Sequence, residues 1–238
     1  MLVCVVVTDH IVARRVRKTE SNPVRSPIRE SILLTAGLTT GAVALWLHKT
    51  APELEASSPG LRILLGLLVG GFLFPVIPMA YLFAVRYRPR QIGVAWSGFR
   101  GAVWLVPPLM LITAAAALLT HPEGTTLARA IREFGSVVPL LFATFVTAAL
   151  PEELFRFLVQ TRLGAVSNRA AGWFIASVAW AGLHLPAWYA DGAFVDAALA
   201  CLRIVPIGLM WGYVTHRTGS IWPAWLLHST NLWGLQNL

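Results

Sequence analysis

Residues 147–163 read TAALPEELFRFLVQTRL, and Glu152, Glu153 and Arg156 stand inside an otherwise hydrocarbon-rich run. On a helix Glu152 and Arg156 are i,i+4 and Glu153 and Arg156 are i,i+3, so one guanidinium lies a turn below both carboxylates. Arg156 can then hold one carboxylate ionised and leave the other for proton transfer; the spacing does not say which. Two further stretches bring imidazoles: ASVAWAGLHLPAWY holds His184, and TGSIWPAWLLHSTNLWGL holds His228 and Asn231. Two imidazoles and one or two carboxylates meeting in a dry cavity make one of two sites. One is a metal site of the His₂Glu type, with Glu152, His184 and His228 as ligands of a zinc ion; the other is a metal-free acid–base site that activates water. Asn231, three residues after His228, lies on roughly the same helix face and can donate its amide to a developing oxyanion. Together these are the parts for attacking an amide bond.

Such residues must be carried by elements that bring them to one depth. The chain has 238 residues, 56% of them hydrophobic and 13% charged, with a mean hydropathy of +0.66, which excludes an ordinary soluble domain. Apolar stretches at 31–48, 61–85, 101–120, 136–160, 171–190, 196–215 and 220–236 are each long enough to cross or nearly cross a hydrocarbon core. They predict an all-α, polytopic transmembrane bundle of about seven spans, since no alternating ten-residue strands suggest a barrel. Of eleven acidic residues, only Glu152 and Glu153 fall in the interior of these spans, with Asp196 at the very edge of one. A carboxylate near the bilayer centre costs roughly 2.5–3.5 kcal/mol on insertion scales, so a retained pair points to function. Counted from the nearest basic residue at the same side, Glu152 lies roughly 15 Å from Arg162, His184 roughly 22 Å from Arg169 and His228 roughly 16 Å from Arg217. Three helices can therefore deliver their polar groups to one plane.

The net charge of +8 raises the question of nucleic acid, and its distribution answers it. With a cytoplasmic N-terminus, thirteen basic residues (Arg14, Arg15, Arg17, Lys18, Arg25, Arg29, Arg86, Arg88, Arg90, Arg100, Arg162, Arg169 and Arg217) fall inside. Four (Lys49, Arg62, Arg129 and Arg132) fall outside. The basic balance thus reports orientation in a multi-pass cell-membrane protein facing anionic lipid, with no nucleic-acid partner. Residues 1–30 read as a basic juxtamembrane arm, unpacked from Asp9 to Glu30, ahead of a single helical domain over 31–238 whose chemistry lies in 136–236. The opening MLVCVVVTDH reads as neither signal peptide nor span. Cys4 and Cys201 have no CxxC partner and read as apolar filler. The loops 49–60 and 121–135 are polar connections.

The remaining polar residues carry weaker signals. Arg203, in the sixth span, reads equally as a packing arginine and as a counter-charge for a carboxylate. His10, His48, His121 and His216 sit in polar or boundary segments. Ten tryptophans, among them Trp46, Trp96, Trp188 and Trp222, read as an interfacial belt. No internal repeat or symmetric pair of broken helices favours a proton-coupled transporter.

PEELFRF, WAGLHLPAW and RTGSIWPAWLLHSTN together resemble the three motifs of the CPBP family of intramembrane proteases, which includes the CAAX prenyl endopeptidases and bacteriocin-processing or self-immunity proteins. The similarity covers about residues 136–236. It implies an intramembrane endopeptidase with Glu152 or Glu153 as base or ligand, Arg156 as the motif arginine, Trp180 and His184 as the second motif, and His228 with Asn231 as the third. It is compatible with a zinc-assisted and with a metal-free site, and implies a peptide or membrane-protein substrate, lipidated in the prenyl branch. Two spacings depart from the usual pattern: EExxR stands for EExxxR, and HxxN for HxxxN. One residue turns a helical side chain by about 100°, which a bulge at Pro151 would restore. The same departures admit a second reading: a catalytically decayed member acting as a peptide-binding immunity or scaffold protein.

Overall fold

The computed structural model describes residues 1–16, 24–50, 76–120, 135–190 and 193–231, and among these the chain is helical without a strand. The helices are α1 (Leu2–Arg15), α2 (Pro27–Thr50), α3 (Val76–Ala84), α4 (Trp96–Thr120), α5 (Val137–Leu141), α6 (Leu150–Val166), α7 (Arg169–Gly182), α8 (Leu185–Ala190), α9 (Phe194–Thr218) and α10 (Trp222–Asn231). A 3₁₀ turn at Pro89–Ile92 precedes α4, and a π-helical stretch at Phe142–Ala149 joins α5 to α6. Arg17, Lys18, His121 and Asp191 lie outside the described residues, as do most of the loops expected at 49–60 and 121–135, the start of the 61–85 stretch and the end of the 220–236 stretch.

Among the described residues two stretches, Pro89–Ala116 and Phe194–Thr218, are long and apolar enough to cross a membrane. Leu111, Leu118 and Leu119 on α4 and Val195, Leu199 and Leu202 on α9 are exposed, as expected of helices whose outer faces meet lipid. The stretch expected as one span at 171–190 is interrupted: α7 stops at Gly182 and α8 restarts at Leu185. Pro186 has no N–H to give the Gly182 carbonyl, so the ladder cannot run through.

α6 is the axis of the packing. Every residue from Glu153 to Gln160 is buried, with α2, α7, α9 and α10 packed against it. α9 approaches through Gly208 and Gly212. A Cβ on Gly212 would lie 2.9 Å from Arg156 Nη1 and 2.8 Å from the Trp173 ring, and one on Gly208 would lie 2.7 Å from Trp180. This small-xxx-small face lets backbone carbonyls reach the buried polar groups of α6 and α7. Gly208 O accepts from Arg156 Nη1 at 3.2 Å and from Ser177 Oγ at 3.1 Å, and Gly212 O accepts from Gln160 Nε2 at 3.2 Å.

α9 ends on Gly219 at φ 67°, a left-handed cap whose N–H bonds Thr215 O at 2.8 Å. The turn that follows is tied to the one before α4: Ile221 N donates to Gly93 O at 3.0 Å and Trp222 Nε1 to Ala95 O at 3.0 Å. The start of α10 is thereby fixed to the start of α4.

The N-terminal arm differs from the expectation of an unpacked segment. Cys4, Thr8 and Val12, four residues apart, make one buried stripe of α1 against α4 and α9. Asp9 accepts from Tyr213 Oη at 2.7 Å and Arg217 Nε at 2.5 Å. At the other end of the arm, Glu30 is 3% exposed in the first turn of α2 and accepts from Arg162 Nε at 2.9 Å and Tyr87 Oη at 2.7 Å. Burial pushes the Tyr87 phenol above its ordinary pKa, which keeps it protonated as a donor. Arg162, expected at the membrane surface, is 1% exposed. The buried acids thus extend beyond the glutamate pair to Glu30.

Candidate active site

The acid pair opens α6 directly after a change of helical register. Leu150 N–H bonds Phe145 O, five residues back, and Pro151 has no N–H to offer, so the π-helical stretch gives way to a fresh α-helix just before Glu152. Both glutamates then sit among groups from α7 and α10, in different surroundings.

Glu153 is fully buried. Its Oε2 is paired with Nη2 of Arg156, which is 1% exposed, and its Oε1 lies 3.1 Å from Nδ1 of His228. A carboxylate beside a guanidinium accepts, so Nδ1 of His228 carries the hydrogen, and in the neutral form of that ring the lone pair lies on Nε2. That Nε2 lies 3.7 Å from Oε2 of Glu152. His184 follows the same logic. Its Nδ1 is 3.1 Å from the Trp180 carbonyl, which can only accept, and its Nε2 is 3.7 Å from the same Oε2 of Glu152. Glu152 is 28% and His184 26% exposed, whereas His228 is buried. Two imidazole lone pairs and one partly open carboxylate therefore face a common point.

Tryptophans frame that point. Trp180 Nε1 donates to Glu152 Oε2 at 2.6 Å. The Trp180 ring meets His184 and His228 edge-on, at centroid distances of 5.1 and 5.7 Å. Trp188, expected in the interfacial belt, lies 5.1 Å from the His184 ring at 34°. Trp211 stacks on His228 at 4.2 Å and 23°. Trp96 and Trp222 instead form a separate aromatic cluster with Phe99.

Residues 134–233 match the family model described as Rce1-like, type II CAAX prenyl endopeptidase. This part of the chain is therefore similar to the CAAX prenyl endopeptidases. The match spans the three motifs that converge on Glu152 and leaves the first 133 residues outside it. No curated protein and no solved structure matched the chain. The matched family is one of membrane-embedded proteases.

Within the matched region the structure brings together Glu152, Glu153, Arg156, Trp180, His184 and His228. Asn231 closes α10, three residues beyond His228, and its buried Oδ1 has no hydrogen-bond partner among the described residues. Arg203 is exposed on α9, with no carboxylate recorded beside it among the described residues. Among the described residues no group of three or more His, Cys, Asp and Glu is arranged as a cluster that could hold an ion.

Residues that sequence reasoning passed over are Trp211, Gln160, Ser177, Gly208 and Gly212. The GLMWG stretch at 208–212 carried a readable signal, a small-xxx-small pair in an apolar helix. Trp211 stands inside that motif and had no signal of its own.

Proposed function

We propose that the chain is an intramembrane endopeptidase that hydrolyses a peptide bond with water activated by Glu152. The observation that carries this reading is the division of labour between the two glutamates: Glu153 is spent on Arg156 and His228, while Glu152 is partly open and faces both Nε2 atoms. Glu152 takes a proton from water, and the hydroxide attacks the scissile carbonyl carbon. The oxygen that becomes negative is met by the Asn231 amide, with the imidazoles orienting water and carbonyl. The proton then passes to the leaving nitrogen as the C–N bond breaks, giving a carboxylic acid and an amine, which settle as a carboxylate and an ammonium. Atoms and protons balance with one water consumed.

The site belongs to a multi-pass bundle of about seven spans in the cell membrane, with the N-terminus cytoplasmic. Contacts among the turns expected inside support their sharing one side: Arg25 bonds Val85 and Arg86, Gly93 bonds Ile221, and Arg217 bonds Asp9. The substrate is a peptide or membrane protein, lipidated where it follows the prenyl branch of the family. No step of this reading is routed through zinc. Purified enzyme in proteoliposomes is expected to keep its turnover of a candidate peptide after chelation. Loss on chelation with recovery on zinc add-back would replace the metal-free reading with the His₂Glu one.

Glu152→Gln, His184→Ala and His228→Ala are each expected to lower turnover by about 10²-fold or more. Undiminished turnover in all three would end the hydrolase reading. Peptide binding without turnover in the wild type would leave the immunity or scaffold reading.

A further inference from the structure

We infer that Trp211 is a positioning residue for His228, holding the imidazole in the one ring orientation that keeps Nε2 on Glu152. The inference rests on the hydrolase reading for its consequence and on geometry alone for its cause. His228 projects from α10 against two adjoining indoles of other helices. Trp211, on α9, lies flat on one face of the ring at 4.2 Å and 23°, and Trp180, on α7, meets it edge-on at 5.7 Å and 88°. The two indoles brace each other at 5.4 Å and 71°. All three residues are buried, with Trp211 1% exposed.

An imidazole held only by its Nδ1 bond to Glu153 can tilt about that bond, or flip and exchange a nitrogen for a carbon at the position facing Glu152. The Trp211 face removes the tilt, because a ring leaving coplanarity drives its edge into the indole. The Trp180 edge abuts the flank of the imidazole next to Trp211, at 5.7 Å. The position of Trp211 follows from the helix that carries it. Gly208 and Gly212 flank it by three residues and one, and α9 packs against α6, α7 and α10. Trp211 Nε1 makes no hydrogen bond among the described residues, so the indole is retained here without a polar contact of its own. Its ring face is what it offers the site.

The test compares Trp211→Phe, which keeps an aromatic face, with Trp211→Leu, which fills space without one. It uses full-length protein in lipid nanodiscs with ¹⁵N-labelled histidine and His228→Gln to assign the signal. The wild type and Trp211→Phe are expected to show His228 as a single Nδ1–H tautomer. Trp211→Leu is expected to show a mixture and a kcat lower by about 10- to 100-fold with KM within about twofold. A single tautomer with full kcat in Trp211→Leu overturns the inference, and so does a mixed tautomer in the wild type. If Trp211→Leu fails to fold, Trp211→Phe still decides. Loss of the single tautomer in that variant overturns the role of the ring face, and its retention beside a loss in Trp211→Met upholds it. The tautomer signal does not require turnover, so an inactive wild type sinks the hydrolase reading and leaves the positioning question answered.

Discussion

Glu153 has both oxygens engaged, one by Arg156 and one by His228, at zero exposure, whereas its neighbour Glu152 accepts from Trp180 and stays partly open. The two positions therefore answer differently to the same substitution. Glu153→Gln leaves the Arg156 guanidinium buried without its counter-charge, a change that typically costs about 3–5 kcal/mol. The thermal midpoint of detergent-solubilised protein is expected to fall markedly. Glu152→Gln keeps the Trp180 bond through the amide oxygen and leaves no buried charge behind, so its midpoint is expected to stay close to wild type. The residue types and most of the geometry were legible in the sequence: a pair of acids, an arginine at i+3 and i+4, and two imidazoles at matching depth. Which acid serves which role was not legible, because it depends on where His228 and Trp180 arrive from other helices.

At the scale of elements, α9 meets α6 and α7 through Gly208 and Gly212, and the close approach is what gives Arg156 and Gln160 their backbone acceptors. Gly212→Val puts a branched side chain against Arg156 Nη1 and the Trp173 ring. Overpacking of this kind costs about 1–3 kcal/mol, and the variant is expected to lose stability and turnover together. Retained stability would show that α9 can move away without loss. A second element-scale link joins α2 to α6 through Glu30 and Arg162. Glu30→Gln and Arg162→Met are expected to be non-additive in a double-mutant cycle by about 0.5–3 kcal/mol, read from unfolding midpoints. Sequence pattern placed Glu30 in a polar arm because five charged residues precede it between Arg14 and Arg29. Its burial depends on Arg162, 132 residues away, and no local pattern encodes that contact. The break between α7 and α8 was more accessible, since Pro186 marks where the ladder must stop, yet hydropathy alone reads straight through it.

For the whole molecule, the account requires a helical bundle whose outer faces meet lipid and whose polar groups turn inward to one shared point. Fusions of a cytoplasm-active reporter after Arg25 and after Gly219 are expected to be active, and a periplasm-type reporter at the same sites silent; the opposite pattern would invert the orientation. The central claim is that one glutamate does chemistry while its neighbour holds the frame. The most direct measurement is the paired turnover and thermal midpoint of Glu152→Gln and Glu153→Gln, reconstituted in the same proteoliposomes with one candidate peptide. The account predicts that Glu152→Gln loses turnover at an unchanged midpoint, and that Glu153→Gln loses both. Turnover that survives in Glu152→Gln would contradict it.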